Sequence, residues 1–549
     1  MGSAGPVRSP RSRKDGVGRR KVFILEWFVD TRRVCRGPGL NHLFDLIVAK
    51  IAAPDRIFIQ TPEGLSIRYR QMLSASARYA HALTALGVEP GDRVAVQMEK
   101  SPAFVLLYLA CLRAGAVFLP LNTAYTPHEV GYFLSDARPK ILICDPERRD
   151  ALSGAAAGSG VRLATHGAGR EGQECGEVFE LAFYSPQNFD TFARGADDLA
   201  AILYTSGTTG RSKGAMLSHD NLAANALTLV DCWKFTSHDV LIHALPVYHA
   251  HGLFVATHCV LLSGASMNFQ PKFDAADVLA AMQEKRDGFL RGTVMMGVPT
   301  FYSRLLAEPG LTREACAAMR LFVSGSAPLL AEAHRAWFER TGHAILERYG
   351  MTETMMNTSN PYDGARIAGT VGPALPGVAL RIADPQTGAL LPRETIGMIE
   401  VKGPNVFPGY WLMPEKTASE FRSDGFFITG DLGQIDENGY VRIVGRGKDL
   451  IISGGLNIYP KEIETEIDAI DGVVESAVIG VPDADFGESV AAIIVRETGA
   501  AIDEAAIRAA LTDRLAKFKW PKTIFFVQDL PRNAMGKVQK NVLREKYGG

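Results

Sequence analysis

The sequence predicts an α/β protein: a large amino-terminal domain of parallel βα sheets plus a small β-barrel, and a smaller mobile α+β carboxyl-terminal domain. Three observations carry that expectation. A chain of 549 residues exceeds what one hydrophobic core organises, so two or more domains are expected. From Asn41 to about residue 368, short apolar runs alternate with helical stretches, the rhythm of parallel sheets covered by helices. Beyond residue 368 Gly, Pro and short β runs take over, and the stretch after residue 447 reads β-β-α-β.

In chain order, residues 1–39 stand apart, with ten Lys or Arg against Asp15, Glu26 and Asp30. They are expected to be a disordered basic extension without a catalytic part. Either they form an organelle-type targeting peptide, or the natural start lies near Leu40. Asp92–Gln97 suits a strand, Ser101-Pro102 starts a helix running to about Arg113, and Ala116–Pro120 suits the next strand. The strand signal returns at Ile141–Cys144, Leu199–Leu203, Val240–Leu245 and Leu321–Val323. Ser153–Gly160, rich in Ala, Gly and Ser, is expected to be a surface loop. Gly397–Gly403 belongs to a small twisted sheet or barrel. Gly445-Arg446-Gly447-Lys448-Asp449 reads as a joint, dividing residues 40–446 from 447–549. Past it, Val473–Val481, Val490–Arg496 and Thr523–Val527 read as strands and Asp503–Phe518 as a helix.

Composition narrows the function. A net charge of −1 gives no excess positive field for nucleic acid or an anionic membrane. The seven cysteines are scattered, without zinc-like spacing, as in a reducing, cytosol-like compartment. The longest apolar run, Phe104–Leu112, is too short to span a membrane and reads as a buried helix.

The chemistry concentrates in five stretches. Tyr204-Thr205-Ser206-Gly207-Thr208-Thr209-Gly210-Arg211-Ser212-Lys213-Gly214 follows a strand. Its glycines permit tight turns, and its amides, hydroxyls and Lys213 could wrap a polyphosphate. It lacks the Gly-Lys-Ser/Thr ending of a Walker loop. Glu347-Arg348-Tyr349-Gly350-Met351-Thr352-Glu353-Thr354 sets a hydroxyl and a carboxylate beside an aromatic ring. Phe427-Ile428-Thr429-Gly430-Asp431 ends a strand on an acid. The joint leads into Ser453-Gly454-Gly455-Leu456-Asn457-Ile458-Tyr459-Pro460. Pro531-Arg532-Asn533-Ala534-Met535-Gly536-Lys537 closes the series.

In this order and spacing the five stretches resemble those of the adenylate-forming (acyl-CoA synthetase) superfamily, over roughly residues 41–546. Within it, Leu199–Leu222, His243–Val255 and Asn357–Asp363 most resemble the malonyl-CoA synthetases. The resemblance implies ATP-dependent ligation of malonate, or methylmalonate, to coenzyme A through an acyl-AMP, releasing AMP and pyrophosphate. Thr205, Ser206, Gly207, Thr208, Thr209, Gly210 and Lys213 would hold the β- and γ-phosphates. Thr352 would donate to the α-phosphate and Glu353 would bind Mg²⁺. Gly325, Ser326, Ala327, Tyr349, Gly350 and Met351 would frame the nucleotide, and Asp431 and Arg446 would meet the ribose. Lys537, carried in by the small domain, would stabilise charge on the reacting oxygens. Lys448 matches a hinge position, and Ser453, Gly454 and Gly455 would line the pantetheine tunnel.

A diacid leaves a second carboxylate that needs a cation when buried. Arg304 is the candidate clamp, with His249, His251 and Ser324 facing substrate. Only twelve residues follow Lys537, which argues for free coenzyme A over a fused carrier domain. An aryl or short-chain acyl-CoA ligase, or a non-catalytic nucleotide-binding relative, is the alternative. A relative without activity is expected to have lost Lys537, Glu353 or Asp431, and all three are present. A lysine acetyltransferase or deacetylase acting on Lys537 is a further expected partner, because neutralising that charge would switch the enzyme off. A cytoplasmic setting is expected, or an organelle if residues 1–39 are a transit peptide.

Overall fold

A computed structural model of the chain describes residues 40–167, 175–205, 212–453, 456–483, 486–512, 514–515, 517–533 and 536–548. Two large, mostly parallel sheets build the amino-terminal part. One has the order Gly409–Tyr410, Lys213–Ser218, Leu199–Thr205, Val117–Pro120, Arg93–Gln97, Ile141–Cys144, Arg162–Thr165. The other runs Met355–Ser359, Leu346–Met351, Leu321–Ser324, Val294–Gly297, Val240–His243, Ser266–Phe269, Ile57–Gln60, Ser66–Arg68. Their strands are short and buried on both faces, as parallel strands covered by helices must be.

The helix Pro102–Ala114 shows how the sequence builds this layer. Proline fixes its first turn, every residue from Phe104 to Ala114 is buried, and Gly115 ends it at φ +67°. Arg113 interrupts the apolar run yet is buried too, because its guanidinium donates to the carbonyls of Leu73 and Phe189. Among the described residues no helix is long and apolar enough to cross a membrane.

Ala379–Ala383, Gly397–Lys402, Phe427–Ile435 and Val441–Arg446 form a four-stranded antiparallel sheet, the small twisted element expected beyond residue 368. The carboxyl-terminal part has its own sheet of Leu456–Ile458, Ile451–Ser453, Gly487–Arg496, Val473–Asp483 and Thr523–Val527, with its own apolar clusters.

Two expectations are corrected. The supposed loop Ser153–Gly160 lies mostly within a helix, Arg149–Gly158, whose Leu152 and Ala156 are buried. Alanine is a strong helix former, and its run there outweighs the flanking Gly and Ser. The helix expected over Asp503–Phe518 is shorter, Glu504–Leu511, with Asp503 capping Ala506 N–H at 2.8 Å.

Candidate active site

Strands of both sheets end at a common seam, the place where open α/β sheets bind ligands. Three groups of side chains meet there.

At the first, the antiparallel register sets Asp431 opposite Arg446. Arg446 Nε lies 2.8 Å from Asp431 Oδ1, and Tyr349 Oη donates to Asp431 Oδ2 at 2.6 Å. Gly430, at φ +74°, provides the left-handed turn that delivers the acid. Asp431 raises the pKa of Arg446, and burial, then Asp431, raises that of Tyr349. Gly350 is required by close approach, since a Cβ there would sit 1.8 Å from the Met355 carbonyl oxygen.

Lys537 reaches this group from the small domain. Its turn is closed by Asn533, whose side-chain oxygen accepts from Lys537 N–H at 3.0 Å. Gly536 packs on the helix Pro299–Leu306, where a Cβ would meet Thr300 Oγ1 at 3.0 Å. Lys537 is exposed as a residue, yet desolvation, then the Arg446 charge, lowers its pKa, against Asp431 and Asp449.

The second group lies at the end of Leu199–Thr205. Glu353 is buried, accepting from Thr205 Oγ1 at 3.3 Å and from Tyr410 Oη at 3.1 Å. Burial raises its pKa. Tyr410 Oη also donates to Glu420 Oε2 at 2.7 Å, and Glu420 Oε1 lies 3.3 Å from the buried Lys213 Nζ. Lys213 stands 4.2 Å from the Tyr410 ring centre. Tyr410 and Glu420 were not singled out from sequence. Only the pairing of Gly409–Tyr410 with Met216 and Ala215 brings them to Lys213, and no local spacing announces it. Ser206, Gly207, Thr208, Thr209 and Gly210 lie outside the described residues. Thr352, half-buried, begins the turn before Glu353.

Glu353 makes no ion pair within 4.0 Å among the described residues, and no cluster of three metal-ligating side chains occurs there. A lone buried carboxylate with free lone pairs fits Mg²⁺, which takes most of its oxygens from phosphates and water.

The third group surrounds Arg348, another residue not singled out. Arg348 is 3% exposed, and its Nε and Nη2 have no partner among the described residues. Gly325 makes the room: a Cβ there would sit 2.4 Å from Arg348 Cζ. Ser324 Oγ and His251 Nε2 are likewise buried without partners among the described residues. His251 Nδ1 is 3.2 Å from Ser326 Oγ, and His251 N–H donates to His249 Nδ1 at 3.3 Å. Ser326 adopts φ +71°, a strained value for a residue with a Cβ. Burial pushes Arg348 down to about 9. Burial, then the Arg348 charge, brings His249 down to about 4 and His251 well below the ordinary 6.5. Both imidazoles are therefore neutral at pH 7, and Arg348 is the cation of this group.

Arg304 lies elsewhere. It is exposed on the helix Pro299–Leu306 and lines a cleft of about 450 Å³ between that helix and Asp529–Gly536. Ala327 follows Ser326 and is half-buried, as is Met351 at the end of its strand. Lys448 is exposed in the single 3₁₀ turn Gly447–Asp449, and Ser453 ends the strand Ile451–Ser453. Gly454 and Gly455 lie outside the described residues.

Comparison with known proteins fits this geometry. Residues 49–411 match the AMP-binding enzyme family, and residues 462–537 match the AMP-binding enzyme C-terminal domain. The chain is 62% identical to ATP-bound MatB from Rhodopseudomonas palustris, with a TM-score of 0.89, covering 93% of this chain and 99% of that one. A feruloyl-CoA synthase from Amycolatopsis is 37% identical, over 88% of this chain and 95% of its own. A malonate–CoA ligase from Arabidopsis thaliana is 34% identical, over 89% and 86% respectively.

Proposed function

Since the chain belongs to the AMP-binding enzymes, an adenylate-forming family, we propose that it ligates malonate to coenzyme A at the expense of ATP, with methylmalonate as a second substrate. It is an acid–thiol ligase of the adenylate-forming fold. One observation carries the choice of acid: among the described residues the buried Arg348 has no partner at Nε or Nη2, and neither has Ser324 Oγ or His251 Nε2. Burying such a charge is costly unless an anion joins it. A diacid brings that anion as its distal carboxylate, whereas an aryl acid such as ferulate leaves the cation unsatisfied.

In the first half-reaction a substrate carboxylate oxygen attacks the α-phosphorus, a new acyl–O–P bond forms, and pyrophosphate leaves. Asp431 and Arg446 hold the ribose, with Tyr349, Gly350, Met351, Gly325, Ser326 and Ala327 around the base. Thr205 to Gly210 with Lys213 grip the departing phosphates, and Thr352 donates to the α-phosphate. Glu353 would hold Mg²⁺, whose charge would neutralise phosphate oxygens. Lys537 donates to the oxygens on which charge develops; a compact ammonium can serve more than one of them. In the second half-reaction the thiol attacks the acyl carbon, its proton is lost, and AMP departs. Residues 447–549 turn about Lys448 for this step, and Ser453, Gly454 and Gly455 line the path of the thiol.

Arg304, exposed and lining the interdomain cleft, would meet the acid on its way to Arg348, where solvent screens the charge. Acetylation of Lys537 by a lysine acetyltransferase would abolish the first step, and a deacetylase would restore it. We place the protein in the cytoplasm, or in an organelle if residues 1–39 serve as a transit peptide.

The test is pyrophosphate release across acetate, malonate, methylmalonate, succinate, benzoate and ferulate, with Arg348→Gln and Arg304→Ala alongside. Arg348→Gln is expected to raise the malonate KM about 100-fold, the scale for breaking a buried charge pair, and Arg304→Ala by less. ATP affinity should hold in both. Preferred turnover of ferulate by the parent would hand the site to the aryl reading.

A further inference from the structure

Strands Arg93–Gln97 and Val240–His243 belong to different sheets, yet the residues at their carboxyl ends meet across the seam. The Lys100 ammonium donates to His243 Nδ1 at 3.0 Å and to the His243 carbonyl at 2.7 Å, and stands 4.4 Å from the centre of the Phe269 ring. An ammonium has only donors, so Nδ1 must accept and the imidazole proton sits on Nε2. That Nε2–H donates to the Gly252 carbonyl at 2.9 Å, and Thr257 Oγ1 donates to the same oxygen at 2.9 Å.

Gly252 lies within a rare π-helical segment, His251–Thr257. Its other side is also fixed, because a Cβ there would sit 2.0 Å from the Pro246 carbonyl oxygen. The chain that carries His249 and His251 is therefore pinned at Gly252 from two directions. One pin is steric, against Pro246. The other is a relay of hydrogen bonds that begins on Lys100.

This relay is expensive. Burial lowers the pKa of Lys100 well below 10.5, and burial, then Lys100, does the same to His243. An apolar pair would fill the space at less cost. What the polar pair adds is direction: it fixes one tautomer of His243 and one orientation of the Gly252 peptide.

We propose that Lys100 is a positioning residue for acid activation, setting through His243 and the Gly252 carbonyl where His249 and His251 meet the substrate carboxylate. The proposal rests on the reading above that these two histidines face the acid.

The experiment is a mutant cycle read by pyrophosphate release. Lys100→Met is expected to lower kcat/KM for malonate about 10- to 100-fold, the cost of misplacing a binding group by a fraction of an ångström to an ångström. The KM for ATP and the melting temperature should stay near those of the parent. In a His249→Ala, His251→Ala background the same change should cost less than about twofold, because coupled residues are not additive. Lys100→Gln, which restores a donor, should recover part of the loss, and it carries the cycle if Lys100→Met does not fold. Undiminished malonate turnover in Lys100→Met, or a full multiplicative loss on top of an impaired histidine pair, overturns the role of Lys100 alone. A histidine pair variant that is fully active overturns the reading of the histidines and the relay together.

Discussion

Lys537 is the residue on which the two halves of the molecule agree. It is delivered by the carboxyl-terminal part, yet the charges that act on it include Arg446 and Asp431 of the large domain. Lys537→Ala should therefore cut adenylation by about 100-fold or more, the scale for removing one preorganised donor. Thioester formation from supplied malonyl-AMP should survive much better. Equal loss of both steps, measured by stopped-flow with acid and with synthetic adenylate, would remove Lys537 from the first step. Because burial lowers its pKa, the ammonium is present below that lowered value and lost as pH rises through it. The alkaline limb of adenylation should accordingly begin at lower pH than titration of an exposed lysine. Arg348 teaches a different lesson at this scale. In the sequence it hides between Glu347 and Tyr349, inside a stretch that reads as part of the nucleotide site, whereas Arg304 is conspicuous after an apolar helix start. Only burial separates them: the conspicuous arginine is exposed, and the hidden one is 3% exposed.

At the scale of elements the joint is the most informative piece. Arg446 ends an extended strand, Gly447–Asp449 makes a single turn, and Ile451–Ser453 already belongs to the next sheet. The hinge proposed at Lys448 would work through this turn: a change in its backbone angles would reorient everything beyond it. Lys448→Pro, which fixes φ, is expected to spare adenylation and slow thioester formation. Single-turnover rates for the two steps decide this, and normal rates for both would rule out the hinge at Lys448. Elements like this one were legible because glycines flank charged residues at a change of texture. The buried strands were legible too, since Ile141–Cys144 and Leu321–Ser324 are apolar runs bounded by turn residues. The helix Arg149–Gly158 was misread because small residues serve loops and helices alike, and only the burial of Leu152 and Ala156 distinguishes them. The π-helical segment left no trace in the sequence. Its Gly252 carbonyl accepts from His243 and Thr257, and His243 accepts from Lys100, a residue far away in the chain.

At the scale of the whole molecule, the histidines divide the chain unevenly. Eight of those in the large domain are lowered by burial: His166, His219 and His249 to about 4 and His258 to about 3, with His243 and His251 well below 6.5 and His334 and His343 below it too. No histidine occurs after residue 447. In the unfolded chain each titrates near 6.5. Between that pH and about 4 the unfolded large domain binds protons that the native one refuses, so its stability falls as pH falls through this window. Three buried carboxyls oppose the trend: burial raises Glu347 to about 8 and Asp145 to about 6, and raises Glu353 as well. These bind protons in the native state first and gain stability on acidification. Eight lowered histidines against three raised carboxyls leave a net loss of stability as pH falls through the window. In the small domain the sign reverses above about pH 5, because Asp468 is raised to about 6 by burial, while Glu464, held below 4.5 against burial by Lys540 and Lys461, gives up stability only at lower pH. Acid should thus unfold the large domain while the small one holds. Trp233 and Trp337, fully buried in the large domain, report on it together with Trp411 once Trp520 of the small domain and Trp27 of the amino-terminal extension are replaced by Phe. Their urea midpoint is expected to drop steadily from pH 7 to pH 5, while circular dichroism of an isolated second transition stays in place. A midpoint that is flat or rises over that range would overturn this balance of lowered histidines over raised carboxyls.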